Sequence, residues 1–132
     1  MIYKNMTHKQ KAEILPVQTI EEFSSLISQL DMLVATRMHP SIIAALNNVP
    51  FVLIRYEHKQ AGLLLKLGLE DVDLSITEIS YDGLKKQTQK VWNNREKIRE
   101  HLSQEVPKMR EHMKTRLNTI ISGVVGIYAS FD

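Results

Sequence analysis

The chain has 132 residues, 43% apolar and 24% charged, and no cysteine. That is the make-up of one soluble globular domain, long enough to bury roughly two-thirds of the surface its unfolded chain exposes. With 17 basic against 15 acidic residues the net charge is only +2, which carries no nucleic-acid signal, and the lack of cysteine excludes disulfides and thiolate zinc sites.

Residues 1–12 are polar and basic and read as a flexible lead-in, without the apolar core of a signal peptide. No apolar run approaches the roughly 20 residues that span a bilayer, so a soluble, cytoplasmic protein is expected. Residues 13–132 then form one domain. Glu13–Val17 has the composition of a short strand, confined by Pro16 to an edge. Thr19-Ile-Glu-Glu22 is a capping box opening a helix whose Ile20, Phe23, Leu26, Ile27 and Leu30 recur at helical spacing.

Met32–Ala35 is a continuous apolar run, as in a parallel strand covered on both faces. Pro40 suits the first position of the next helix, which makes His39 its N-cap. That helix carries Ile42, Ile43, Ala45 and Leu46 and ends at Asn47-Asn48, because asparagine tolerates the left-handed conformation. Phe51–Ile54 is a second buried strand, Lys59–Leu67 a helix closed by Gly68, and Val72–Ile76 a weaker strand.

From Ser80 onward the pattern is helical. Leu84, Thr88, Val91 and Trp92 share one face of a first helix. A second shows an apolar stripe at Ile98, Leu102, Val106, Met109, Met113, Leu117 and Ile120, read as core or interface. Pro107 should kink or split it, and Gly123 should stop it. Val124–Phe131 is apolar and has no evident partner within the chain. The alternation predicts an α/β fold, a small Rossmann-like parallel sheet of three or four strands flanked by helices, with a C-terminal helical extension.

In such a fold ligands sit at the carboxyl ends of the strands, and anions at helix N-termini. Arg37 and His39 occupy the turn after the first parallel strand. Arg37 offers a planar fork of donors matched to carboxylate or phosphate, and His39 a hydrogen bond or a proton near neutrality. The amides of Ser41 and Ile42 would add partial positive charge to the same pocket. The alternative is a solvated arginine beside a histidine that merely caps the helix. The turn after the next strand, Arg55-Tyr-Glu-His-Lys59, should lie alongside. Lys59 at a helix N-terminus opposes the helix dipole, which is mild evidence for a ligand, and a solvated lysine is still slightly the better reading. Glu57 and His58 read as surface residues. The five histidines lack ligand spacing, and no Gly-rich phosphate loop or nucleophile elbow occurs, so neither metal nor cofactor is expected.

Thr36-Arg-Met-His39, Ala44-Ala-Leu-Asn-Asn-Val-Pro50, Tyr56-Glu-His-Lys59, Gly62 and Leu67-Gly-Leu69 together resemble the polysaccharide pyruvyl transferases, over about Thr19–Leu69. In that family a Ser-Arg-Leu-His turn precedes a helix, then come Gly-Val-Pro, a strand, a Tyr-x-x-Lys segment and a Leu-Gly turn. Here Thr36 replaces Ser, Met38 replaces Leu, Asn48 replaces Gly, and Pro40 stands where a small residue is usual. The resemblance implies two Rossmann-like domains of GT-B type with the active site between them. It also implies transfer of a pyruvyl group from phosphoenolpyruvate to a sugar of a cell-surface polysaccharide or its lipid- or nucleotide-linked precursor. Carried over residue by residue, Arg37 would neutralise phosphate or carboxylate. His39 would bind phosphate or act as general acid, and Lys59 would be a further anion contact. The chain would correspond to the C-terminal, phosphoenolpyruvate-binding part, completed by an N-terminal domain or a second copy. Two other readings stay open: a nucleotide-sugar glycosyltransferase or epimerase fragment of GT-B type, for which Glu57 is a weak ribose ligand, and a non-catalytic module that oligomerises through its long helices.

Overall fold

The computed structural model describes residues 6–129, and their side chains as far as Ser122 apart from Lys9. Three strands, β1 (Leu33–Ala35), β2 (Phe51–Arg55) and β3 (Asp73–Ser75), form a parallel sheet in the order β1-β2-β3. The register pairs Val34 with Val52 and Ile54 with Leu74. Helices α1 (Ile20–Ser28), α2 (Met38–Leu46) and α3 (His58–Leu67) precede or connect the strands, and α4 (Tyr81–Asn93) and α5 (Arg95–Ala129) follow them. This is a Rossmann-like α/β arrangement.

Local chemistry explains most boundaries. Thr19 Oγ1 accepts the Glu22 amide at 3.1 Å while the Glu22 carboxylate accepts the Thr19 amide at 3.2 Å, the reciprocal bonds of a capping box. Asn48 stands at φ 57° and Gly68 at φ 64°, ending α2 and α3 in the left-handed region as their residue types allow. At Gly68 a side chain would also be crowded, since a Cβ there would lie 3.1 Å from Nε2 of His101. That imidazole is bonded at 2.7 Å to the Leu67 carbonyl, one of the acceptors α3 leaves free at its end.

The core centres on β2. Phe51, Val52 and Leu53 are completely buried, and Ile27, Leu64, Val91 and Leu102 close over them from four different helices. The preference for right-handed crossovers puts α2 and α3 on one face of the sheet, and α4 packs on β2 and β3. The first half of α5 crosses beneath, touching α2, α3 and α4.

Five details differ from the sequence reading. Glu13–Val17 is no strand: it is exposed and joins no ladder, in keeping with the donor Pro16 lacks. β1 is an edge strand and is not covered on both faces, for Val34 remains 44% exposed while β2 alone is enclosed. Helix α2 starts two residues earlier than expected, with Arg37 as N-cap and Pro40 at the third helical position. Proline is tolerated there because the first amides of any helix lack an intrahelical partner. Pro107 lies within a helix assigned without a break, exposed on its outer side. Gly123 does not stop that helix, which runs on to Ala129; a helical glycine costs only about 1 kcal/mol relative to alanine. The partnering of the apolar Val124–Phe131 side chains falls outside the described residues.

Candidate anion site at the carboxyl edge of the sheet

Two turns meet where β1 and β2 end. The first, Thr36-Arg37, leads into α2; the second, Tyr56-Glu57, leads into α3. Their junction is Gln60, a polar side chain only 1% exposed. Its Oε1 accepts the amides of Tyr56 at 2.8 Å and Glu57 at 3.0 Å, while its Nε2 donates to the Thr36 carbonyl at 3.2 Å. One side chain therefore satisfies backbone groups of both turns and fixes their spacing. An unsatisfied buried group would cost about 1–3 kcal/mol, so three such bonds make this a rigid joint.

Arg37 and His39 are exposed on the first turn, as its N-cap and second helical residue. No side-chain bond caps α2 and its first turn holds no acidic residue, so the amides of Met38 and His39 keep their partial positive charge. Arg37 makes no ion pair among the described residues. Ser41 is different. It is completely buried, and its hydroxyl donates to the Arg37 carbonyl at 3.3 Å. Its side chain holds the turn and is not exposed to a ligand.

The second turn is more self-contained. Lys59 Nζ lies 2.7 Å from Glu57 Oε2, and this hydrogen bond together with the carboxylate's charge raises the lysine's pKa. The pair accounts for a cation at the start of α3 without a ligand, and it occupies Glu57. Lys59 also borders an apolar groove between α2, α3 and α5, with Met38, Ile42 and Leu63. Arg55, at the end of β2, is likewise engaged: its Nε sits 2.6 Å from Asp73 Oδ2, fastening β2 to β3.

Arg37 and His39 thus share one turn, and Gln60 ties that turn to the one bearing Lys59. The sequence reading passed over Gln60 and the Arg55–Asp73 pair. A polar residue on the face of α3 that carries Leu64 and Leu67 was the available signal for Gln60. Among the described residues no group of three or more histidine, aspartate or glutamate side chains could hold a metal ion.

Residues 2–58 match the family described as polysaccharide pyruvyl transferase. The matched region includes the Arg37–His39 turn, the strand β2 and the Tyr56-Glu57 turn, and stops short of Lys59. The chain is also similar to the amylovoran biosynthesis protein AmsJ of Erwinia amylovora, with 27% identity over 89 residues. That alignment covers 67% of this chain and 21% of the relative, so the chain spans about a fifth of that protein's length. No solved structure matches the chain.

Proposed function

We propose that the chain belongs with the polysaccharide pyruvyl transferases and forms the phosphoenolpyruvate-binding part of such an enzyme, a reading supported by the match over residues 2–58 and the similarity to AmsJ. The observation that carries the proposal is the Gln60 joint, which sets an arginine without an ion pair among the described residues, and an uncapped helix N-terminus, on one edge of the sheet. Phosphoenolpyruvate brings a phosphate and a carboxylate, both suited to the guanidinium fork of Arg37 and the free amides of α2. His39, one residue past Met38 on the same turn, holds the phosphate or delivers a proton.

The chemistry asks little more of this half of the site. Protonation of the enol's methylene carbon by an acid such as His39 leaves C2 electrophilic. A sugar hydroxyl adds at C2, phosphate departs with the C–O bond electrons, and a second hydroxyl of the same sugar closes the ketal. Each hydroxyl releases its proton as it adds. Arg37 offsets the charge of the leaving phosphate, and Ser41 and Gln60 position the turn from behind. Lys59, released from Glu57, serves as a further anion contact. The sugar belongs to a lipid- or nucleotide-linked glycan, and it enters from the open side of a GT-B-like cleft whose other wall comes from a second Rossmann-like domain or subunit.

Calorimetric titration of the purified chain with phosphoenolpyruvate tests this directly. Saturable binding is expected, weakened about ten- to a hundredfold by Arg37→Ala, the worth of a hydrogen bond to a charged group. His39→Ala should weaken it less. A folded wild-type chain that shows no saturable binding would overturn the proposal.

A further inference from the structure

The apolar stripe of α5 continues past the core onto bare helix. Met113, Leu117 and Ile120 are 67%, 56% and 61% exposed, and no residue from 110 to 122 is buried. The stripe is bordered by charge of one sign. At 100° per residue, Arg110 and Lys114 flank it on one side and Arg116 on the other, while the acid of the segment, Glu111, falls on the far face. Lys66 of α3 lines the same depression as Met113 and Leu117. Between Val106 and Ser122 four lysines and arginines stand against one acid, so this stretch carries more positive charge than the whole chain's net +2.

We propose that this face docks the chain peripherally on an anionic lipid bilayer. Met113, Leu117 and Ile120 enter the boundary between headgroups and acyl chains, and Arg110, Lys114 and Arg116 reach lipid phosphates from its margins. Long basic side chains suit that task because their stems lie along apolar surface while their charged ends stay in water. Among the described residues no helix is long and apolar enough to cross a membrane, so the helix lies in the surface.

A second copy fits less well. A heptad frame set by Val106, Met109 and Met113 puts Arg116 at the next seam position, where a helix pair needs an apolar residue. Pairing would also set the cationic borders of two identical helices together. The inference rests on α5 and the neighbouring Lys66 and is independent of the phosphoenolpyruvate reading.

The test is sedimentation of the full chain with vesicles of phosphatidylcholine, or of phosphatidylcholine mixed with phosphatidylglycerol. Wild type should pellet with the mixed vesicles, be released by salt, and stay largely in solution with the neutral ones. Arg110→Gln/Lys114→Gln/Arg116→Gln should lower partitioning roughly a hundredfold, each cation near an anionic surface contributing about fivefold. Leu117→Gln/Ile120→Gln should also abolish pelleting, and all five positions are exposed, so both variants keep the fold. The proposal fails if wild type ignores anionic vesicles or if the charge variant binds as wild type does. It fails equally if sedimentation velocity finds a dimer, dispersed by Leu117→Gln, that binds no vesicles.

Discussion

Along α5 one apolar spacing meets two surroundings. From Ile98 through Met109 the stripe packs on α2, α3 and α4, and Leu102 is completely buried. From Met113 through Ile121 the same periodicity faces outward. Helical amphipathicity therefore tells that a face wants to be covered, and not by what. The core half helps hold the fold together, while the exposed half stores apolar surface for another encounter.

The sharpest way to break this comparison is one substitution made twice. Leu102→Ala should cost about 2–5 kcal/mol, through lost burial and a residual cavity. Leu117→Ala should stay within about 0.5 kcal/mol of wild type, as surface changes do. Urea unfolding measures both, and equal losses would mean that the outer half of α5 is buried after all.

Next in size is the joint beneath the candidate anion site. Gln60→Leu strands the amides of Tyr56 and Glu57 and the carbonyl of Thr36. Its expected cost is about 1–3 kcal/mol, and more if the two turns cannot open to water. Gln60→Glu keeps the acceptor for both amides and, with its carboxyl protonated, can still donate to the Thr36 carbonyl, so at acid pH it should recover part of that stability. If the two variants then unfold at the same urea concentration, the joint is not made as described. Gly68→Ala should cost about 1–2 kcal/mol, because φ 64° is strained for any residue with a Cβ and His101 stands in its way.

The smallest effect lies at the entry to α1. The Glu22 carboxylate accepts the amides of Gln18 at 3.0 Å and Thr19 at 3.2 Å, and these bonds hold its pKa below the ordinary carboxylate value. A pKa lower in the folded than in the unfolded chain favours folding above the unfolded value, and that contribution fades as pH falls through the folded one. The melting-temperature difference between wild type and Glu22→Gln should accordingly shrink on acidification. A difference constant from neutral to acid pH would refute the assignment.

How much was legible follows from distance along the chain. The Thr19–Glu22 box and the left-handed Asn48 and Gly68 depend on neighbours a few residues away, and the local sequence announced them. The parallel strands were visible because β2, enclosed on both faces from Phe51 to Ile54, must be apolar over that run. The start of α2 was misread because proline fits any of the first helical positions, and sequence alone does not choose among them. Gln60 escaped notice because its partner Thr36 lies 24 residues away, and the Arg55–Asp73 pair spans 18. The position of Arg37 and His39 on the turn after β1 was legible in the sequence, whereas the buried setting of Ser41 was not.

The sequence by itself determined the order of the elements from α1 onward, the α/β class, the turn that bears Arg37 and His39, and the similarity of residues 2–58 to the polysaccharide pyruvyl transferase family. Those properties follow from local periodicity and from residue types fitted to particular backbone conformations. The tertiary structure alone decided which half of the α5 stripe is buried, which cations are already paired, and that Gln60 locks two turns into one edge. Burial and hydrogen-bond satisfaction depend on partners distant in the chain, and only the packed fold brings those partners within reach.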